Sequence, residues 1–444
     1  MRLLKTEAHR LAAAILSGPF KQEEILQRVL PLLSGSRQWF HRLTAQLIEK
    51  FGSQRPRERD LIETLLRSRR FARAIRAPSY DLLPSLQPPV FYPSPKIDTD
   101  EAIRQLTTTA DICRWLGISD SDLAWFADRR QLERLTQSGP LRHYRYRWKR
   151  KANGRCRLIE APKFRLREIQ RRLLHDVLEH IPLHEAAHGF RKARSIQTHV
   201  QPHIGRAVVL KMDLEDFFPS VIPARLTRIL MHVGYPETVA EALTALCCNH
   251  VPPDVFADFP FPDDPQARYR SRLLYQRPHL PQGAPGSPAA ANVCAFRLDQ
   301  RLAGLAHSAN AAYTRYADDL LFSGDKAFAR GARRFAVIVA AIAMEEGYQV
   351  NHHKTRIMSQ AAQQRAVGLV LNEKMQASRA EYDRLKAVLH HCVRHGPNSV
   401  NADQHPHFQA HLRGRIHHVA QSSESRMTKL MNLFTAINWP PASD

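Results

Sequence analysis

The sequence predicts an α+β protein, helical at both ends with short strands gathered in between. Apolar residues recur at helical spacing over residues 1–77 and again from 373 onward, whereas β-branched and aromatic runs bounded by turn residues fall between 142 and 372. At 444 residues the chain exceeds what one core usually organises, so two or three domains are expected.

The opening region is read as a small set of helices from the spacing of Leu4, Leu11 and Ile15, of Leu43, Leu47 and Phe51, and of Leu61, Leu65 and Leu66. Its first stretch, MRLLKTEAHRLAAAILSG, is interrupted by Lys5, Glu7, His9 and Arg10, which suits an amphipathic helix rather than a secretory signal. No apolar run approaches the roughly 20 residues that a membrane span needs. Residues 78–97 are rich in proline, which fixes φ and removes backbone donors, so a linker and domain boundary are expected there.

Residues 98–139 return to helical spacing, with Trp115, Leu116, Leu123, Trp125 and Phe126 placed to face a core. From 142 to 162 aromatic and basic residues alternate around Asn153-Gly154, the pattern of a β-hairpin with one charged face that would suit nucleic acid or plain solvent. Residues 164–180 follow as a basic amphipathic helix, and from 373 helical patterns resume around a His- and Asn-rich loop near 395–407.

Composition narrows the partners. Lys and Arg number 65 against 42 Asp and Glu, a formal charge of +23 and a pI near 10.2, as expected of a protein that tracks phosphate backbones. Membrane surfaces and acidic proteins would also attract such a chain. Six scattered cysteines without CxxC spacing suggest reduced thiols and a cytoplasmic location. The histidines near the C-terminus (His390, His391, His395, His405, His407, with Cys392) match no zinc-ligand spacing.

The chemistry-bearing signal is a set of three acids. In RAVVLKMDLEDFFPSV (206–221), Asp213 stands where an apolar, β-branched strand is expected to emerge; in AAYTRYADDLLFSG (311–324), Asp318 and Asp319 interrupt an apolar run that suits a tight hairpin. Adjacent carboxylates in such a setting are costly unless a cation neutralises them. An isolated Asp-Asp is equally a turn or a helix cap. Together the two segments suggest Asp213 and Asp318 on neighbouring strands sharing two divalent ions, with Asp319 close by. Two such ions would stabilise the attacking 3′-oxygen and the leaving pyrophosphate of an in-line displacement.

The order of KMDLEDFFPSV, LPQGAPGSPAAAN (280–292), RYADDLLFS (315–323), GYQVNHHKT (347–355) and VGLVLN (367–372) resembles the palm blocks of bacterial reverse transcriptases, particularly the retron type. The resemblance runs from about residue 98 to the C-terminus. It implies a right-hand polymerase fold: fingers over 98–205, palm with part of the fingers over 206–372 and thumb over 373–444, behind a helical extension (1–77) and a linker (78–97). It also implies an RNA-directed DNA polymerase. Its template would be a cognate structured noncoding RNA copied into single-stranded DNA (msDNA) from dNTPs, in anti-phage defence and with an effector or toxin protein as a further partner.

By position, the resemblance makes Tyr316-Ala317-Asp318-Asp319 the YxDD box. Asp213, the Leu214 backbone, Asp318 and Asp319 become ligands of two Mg²⁺ ions, for which Mn²⁺ would substitute. Gln282-Gly283 resembles the turn supporting the template base and nucleotide, Arg157 a triphosphate contact, and Lys354 the basic residue near the leaving phosphates. Phe218 matches the residue beneath the sugar, where a ring would collide with a 2′-hydroxyl; if Phe217 and Phe218 are consecutive strand residues, one must face away from the core. Arg191 and Arg194 would grip template phosphates, Tyr316 and Gly368 (in the primer-grip segment VGLVLN) would touch nucleic acid, and Arg413 and Arg415 belong to the thumb helix along the duplex.

Three positions depart from the retron pattern. His199-Val200-Gln201-Pro202-His203 stands for Asn-Ala-x-x-His, with only the final histidine agreeing, Ala366-Val367-Gly368 for Val-Thr-Gly, and Gly286 for the usual Thr. In the other direction, TTADICRWLGISDSDLAWFAD (108–128) resembles the N-terminal segment of retron enzymes with long extensions. Alternatives at this point are a group II intron-like or defence polymerase, and a catalytically idle RNA-binding scaffold, although a scaffold has no need of three carboxylates.

Overall fold

The computed structural model describes residues 2–439 apart from 36, 53, 83–89, 94–101, 137–138, 140, 151–155, 261–263, 402–404, 406 and 421–422. It divides into two compact units: Met1–Leu183 with Asp216–Phe296, and His184–Glu215 with Arg297–Asp444. Strands are numbered in chain order: β1 Tyr144–Arg150, β2 Cys156–Pro162, β3 Val208–Glu215, β4 Ala312–Tyr316, β5 Asp319–Gly324, β6 Gln349–Val350, β7 Arg356–Ser359, β8 Arg365–Ala366, β9 Leu369–Val370 and β10 Gln376–Ala377. Every described sheet pairing within these strands is antiparallel, so the mixed helix-and-sheet class is as the sequence predicts.

The first unit begins with helices Arg2–Leu16, Gln22–Val29, Gln38–Phe51, Glu58–Arg67 and Arg69–Ile75. Their apolar faces close on one cluster that includes Leu11, Ile15, Phe40, Leu43, Leu47, Leu61, Leu65 and Phe71. This bundle is tied to the rest of its unit where the Glu58 N–H donates to Glu237 at 2.6 Å and Arg57 donates to the Ala224 carbonyl at 3.2 Å. Most of the expected linker 78–97 lies outside the described residues, as does the Asn153-Gly154 turn.

Helices Thr109–Leu116 and Asp120–Ala127 follow, each started by a capping box, Thr108 with Asp111 and Ser119 with Asp122. Leu116, Leu123 and Phe126 are buried as their spacing predicts. Trp125 is 40% exposed instead, its indole set edge-on against the His143 ring. β1 and β2 form the expected hairpin. Tyr144, Tyr146 and Trp148 turn inward while Arg145, Arg147 and Lys149 face out, because successive strand residues alternate sides. Trp148 packs edge-on against Phe259 and Tyr275 and donates its indole N–H to the Val255 carbonyl.

A buried ion pair joins the back of this hairpin to a later turn. Glu160 on β2 and His279 are both fully enclosed and meet at 2.9 Å, and Asn249 donates to the second Glu160 oxygen at 2.6 Å. Burial disfavours the imidazolium, but the Glu160 charge and its hydrogen bond outweigh it and raise the His279 pKa. Beside the pair, the Glu160 N–H donates to the Gln282 carbonyl at 2.9 Å. Gly283 has φ of +132°, and a Cβ there would lie 2.9 Å from the Glu160 carbonyl oxygen, so only glycine lets this turn sit against β2.

In the second unit the sheet runs β4-β5-β3-β6, with β7 also pairing with β3. β3 is buried along nearly its whole length, the signature of a central strand covered on both faces. Helix Lys326–Glu345 carries Phe328 and Phe335, and Phe335 meets Phe322 of β5 edge-on at 5.1 Å. Helices Arg379–His395, Phe408–Ala420 and Glu424–Thr435 close a separate cluster around Leu385, Leu389, Leu412, Ile416 and Leu430.

Removing Glu160 tests the buried pair. Glu160→Ala leaves His279 enclosed without its counter-charge and is expected to cost about 3–5 kcal/mol in urea unfolding. Glu160→Gln, which retains hydrogen-bonding capacity, is expected to cost less, and equal losses would contradict a charge-based role.

Candidate active site

The three acids come together through strand register. Asp213 of β3 pairs directly with Asp319, the first residue of β5, and Tyr316 at the end of β4 pairs with that same Asp319. Ala317 and Asp318 are therefore the two loop residues of a tight hairpin. Ala317 has φ of +55° whereas Asp318 is not left-handed, the pattern of a type II′ turn, and a non-glycine residue held there costs on the order of 1–3 kcal/mol. The Leu214 N–H donates to the Asp318 carbonyl at 2.8 Å, fixing the turn against β3.

Asp213 is not the last residue of its strand, as the sequence suggests, because β3 continues to Glu215. After Asp213 its partner changes from β5 to β6, with Leu214 facing Val350 and Glu215 facing Gln349. The acid thus stands at a fork in the sheet, 5% exposed. Burial, then the charges of Asp213 and Asp319, raise the Asp318 pKa. That mutual repulsion in a partly desolvated pocket is the environment in which hard oxygen ligands gain from a cation.

Two lysines sit on these carboxylates. Lys354, in the turn after β6, places Nζ 2.8 Å from Asp213 Oδ2. Lys211, two residues before Asp213 on β3, reaches Asp319 Oδ1 at 3.0 Å. Lys354 was legible in the sequence, but Lys211 was missed. Period-two alternation puts it on the same face as Asp213, a cue that was available. Among the described residues no three His, Cys, Asp or Glu side chains form a ready-made metal cluster. Two carboxylates with a backbone carbonyl still fit Mg²⁺, which is normally completed by water and substrate phosphates.

The turn is held from beneath by Arg315, one of the largest fully buried side chains among the described residues. Its Nε and one terminal nitrogen each donate to Asp299 at 2.7 Å in a bidentate pair, and its other terminal nitrogen donates to the Ala317 carbonyl at 3.1 Å. Burial opposes the charge, yet Asp299 outweighs it and raises the Arg315 pKa. Tyr313 also donates to Asp299, at 2.8 Å. On the outer side of β4, segment 186–188 lies parallel to Arg315 through His188 N–H to Arg315 O and Arg315 N–H to Ala186 O. A Cβ on Gly189 would come within 2.7 Å of the Ala317 nitrogen, so a side chain there would displace the turn.

His199, which stands where the retron pattern has Asn, and His203, which matches the pattern's final His, form a buried network under the same hairpin. Thr314 Oγ1 donates to the His199 carbonyl and lies 2.7 Å from His199 Nδ1 and 2.8 Å from His203 Nε2, while Ser323 Oγ meets His203 Nδ1 at 2.7 Å. One hydroxyl proton serves the carbonyl, so both rings satisfy Thr314 as neutral donors. Burial drives their pKa values down, to about 2 for His199 and about 3 for His203, with neighbouring positive groups adding to it.

The remaining predicted residues are placed individually. Arg191 and Arg194 converge on the exposed Glu185, which lies below the usual carboxylate range chiefly through its hydrogen bond from Arg191. The exposed Phe190 ring lies 6.2 Å from that of Tyr316. Val367 and Gly368 are the two loop residues of the β8–β9 hairpin, both with positive φ as in a type I′ turn. Arg413 is exposed and Arg415 half-buried on helix Phe408–Ala420. In the first unit, Arg157 lies on β2 and Gln282-Gly283 against its back. Phe217 and Phe218 are not strand residues: β3 has ended, and Ser220 N–H to Asp216 O closes a turn around them. Strand alternation therefore does not decide their directions, although Phe217 is buried and Phe218 half-buried.

Residues 149–379 match the family model "Reverse transcriptase (RNA-dependent DNA polymerase)". The chain is 38% identical to the retron Mx65 reverse transcriptase of Myxococcus xanthus over 327 residues, 73% of this chain and 70% of that one. It is 36% identical to the retron Mx162 reverse transcriptase of the same organism, over 65% of this chain and 59% of the relative, and 33% identical to the retron Ec86 reverse transcriptase of Escherichia coli, over 53% and 65%. The chain belongs to the reverse transcriptases, RNA-directed DNA polymerases, and within them to the bacterial retron type.

The histidine network makes folding pH-dependent. In the unfolded chain His199 and His203 titrate near 6.5, and in the folded protein far lower, so the unfolded state takes up the extra protons. Stability is complete above about pH 6.5 and falls on acidification, by up to about 1.4 kcal/mol per pH unit for each ring. Urea midpoints measured from pH 7.5 to 5 are expected to drop accordingly, and His203→Asn to flatten the slope; an unchanged slope would contradict the assignment.

Proposed function

We propose that this chain copies a cognate structured noncoding RNA into single-stranded DNA, the msDNA of a retron, and that it does so in anti-phage defence, together with an effector protein. The observation that carries the polymerase reading is the pairing of Asp213 with the Asp318-Asp319 turn, a carboxylate site built by the sheet itself. In this reading 98–205 act as fingers, 206–372 as palm with part of the fingers and 373–444 as thumb, with 78–97 linking the helical extension 1–77 to them.

Asp213, Asp318, Asp319 and the Leu214 carbonyl would hold two Mg²⁺ ions, or Mn²⁺ in their place. When bound, such ions supply Lewis-acid stabilisation to the attacking and leaving oxygens. The primer 3′-oxygen forms the new bond to the α-phosphorus of a dNTP while the bond to pyrophosphate breaks. Lys354, half-exposed and a point charge on a four-carbon stem, would exchange Asp213 for the departing phosphates. Lys211 holds Asp319 and leaves Asp318 as the acid most in need of a cation.

Arg157 would bind the triphosphate, and among the described residues its buried Nε has no hydrogen-bond partner. Gln282-Gly283 would support the template base and nucleotide, and Phe218 would exclude a ribose 2′-hydroxyl. Arg191, Arg194, Tyr316, Gly368, Arg413 and Arg415 would contact nucleic acid, the arginines through salt-sensitive phosphate contacts. Among the described residues no helix is long and apolar enough to cross a membrane.

Purified protein with Mg²⁺, a primed RNA template and dNTPs is expected to extend DNA, and the double substitution Asp318→Asn, Asp319→Asn to abolish extension. Activity surviving that change would sink the reading. Phe218→Val is expected to admit rNTPs; unchanged sugar selection would remove Phe218 from the nucleotide pocket. Recovery of a branched RNA–DNA molecule with the protein is the expected result for the retron product.

A further inference from the structure

Outside the residues matched by the family model, the N-terminal bundle contains an open cleft of about 450 Å³ between helices Gln38–Phe51 and Arg69–Ile75. Its walls include Trp39, Arg42, Arg69, Arg70, Arg73 and Tyr80. Helical spacing gathers them: Trp39 and Arg42 are three residues apart, Arg69 and Arg73 four, and Arg70 and Arg73 three. Phe71 and Ile75 are buried in the bundle core and anchor the second helix, while all four arginines are exposed. The Trp39 ring lies 6.2 Å from that of Tyr80 and 6.3 Å from that of Phe71.

The charge here is one-sided. Between Arg67 and Arg76 the chain has five arginines and no acid. Arg67 is paired with Glu63, but among the described residues no carboxylate forms an ion pair with Arg42, Arg69, Arg70 or Arg73. Four unpaired guanidinium groups around one cleft repel one another, and only an anion with several charges relieves all of them. Guanidinium forks match phosphate oxygens bidentately, and an indole and a phenol offer faces on which bases stack. A lone phosphate would use one or two of the arginines and neither ring. An acidic peptide would use the charges but brings a ring only where its sequence happens to supply one, whereas every nucleotide carries both a phosphate and a base.

We propose that this cleft binds an unpaired stretch of nucleic acid, its consecutive phosphates on Arg42, Arg69, Arg70 and Arg73 and a base against Trp39 or Tyr80. The site uses none of the polymerase carboxylates. It gives the chain a second grip on a single strand.

Photocrosslinking of the full chain tests this, without divalent metal or nucleotides. The probes are a 12-nucleotide oligouridylate carrying 4-thiouridine and its deoxy counterpart carrying 4-thiothymidine, with crosslinked peptides mapped by mass spectrometry. Crosslinks at or beside Trp39 or Tyr80 with either probe are expected. Arg69→Gln with Arg73→Gln should lower their yield about tenfold and make the salt dependence of that yield shallower by about 1.4 in logarithmic slope, two phosphate contacts' worth. Arg42→Gln, on the other helix, should act in the same direction, which guards against a local folding defect in the double variant. Extension of a short preannealed primer–template should be unchanged. Crosslinks confined to other regions, a yield indifferent to these substitutions, or displacement by polyglutamate as readily as by unlabelled oligouridylate would each overturn the proposal, the last in favour of an acidic protein partner.

Discussion

The second unit is organised around the bidentate contact of Arg315 with Asp299. A fully buried guanidinium is tolerable only with a matched carboxylate, and here the match leaves one nitrogen free to hold the Ala317 carbonyl. That carbonyl belongs to a turn whose first residue is left-handed without being glycine, a conformation that persists only when its surroundings impose it. Asp318 is the second residue of the same turn. An ion pair that contributes little net stability in general is thus placed where its geometry sets the position of an acid.

The carboxylates, in turn, have been given neither full solvent nor full pairing. Asp213 is buried at the fork between β5 and β6 and paired with Lys354; Asp319 is paired with Lys211; Asp318 is left with a raised pKa between two like charges. A strongly basic chain has ample lysine and arginine with which to quench three acids, yet it supplies two flexible lysines rather than rigid arginine forks. Lysine ammonium groups can be displaced by a cation or drawn to a phosphate.

Much of this was legible in the sequence, for reasons of distance along the chain. The Tyr316–Asp319 hairpin, the aromatic-in, arginine-out alternation of β1 and the helical faces of the N-terminal bundle are all set by neighbours within a few residues. What was not legible depends on partners far apart. His199 looked like a mismatch until the fold brought Thr314, 115 residues later, against its ring. Glu160 and His279, 119 residues apart, gave no sign of pairing. Phe217 and Phe218 were read with strand periodicity although β3 stops at Glu215, and Trp125 was read as core although only its edge-on contact with the buried His143 ring covers it and the rest of its indole is exposed. Lys211 was within reach of the alternation rule but carried no motif to draw attention to it.

In the proposed function, the turn fixed by Arg315 and the fork at Asp213 together would hold the divalent cations. Replacing Mg²⁺ by Fe²⁺ and adding hydrogen peroxide with ascorbate generates hydroxyl radicals at the bound ion, since Fe²⁺ reduces peroxide to a hydroxyl radical and hydroxide and ascorbate returns the Fe³⁺ to Fe²⁺; the radicals cut nearby backbone. Fragments mapped by mass spectrometry are expected to end near residues 212–215 and 316–320 and to disappear in Asp318→Asn. Cleavage elsewhere in the chain, or an unchanged pattern in that variant, would contradict the claim.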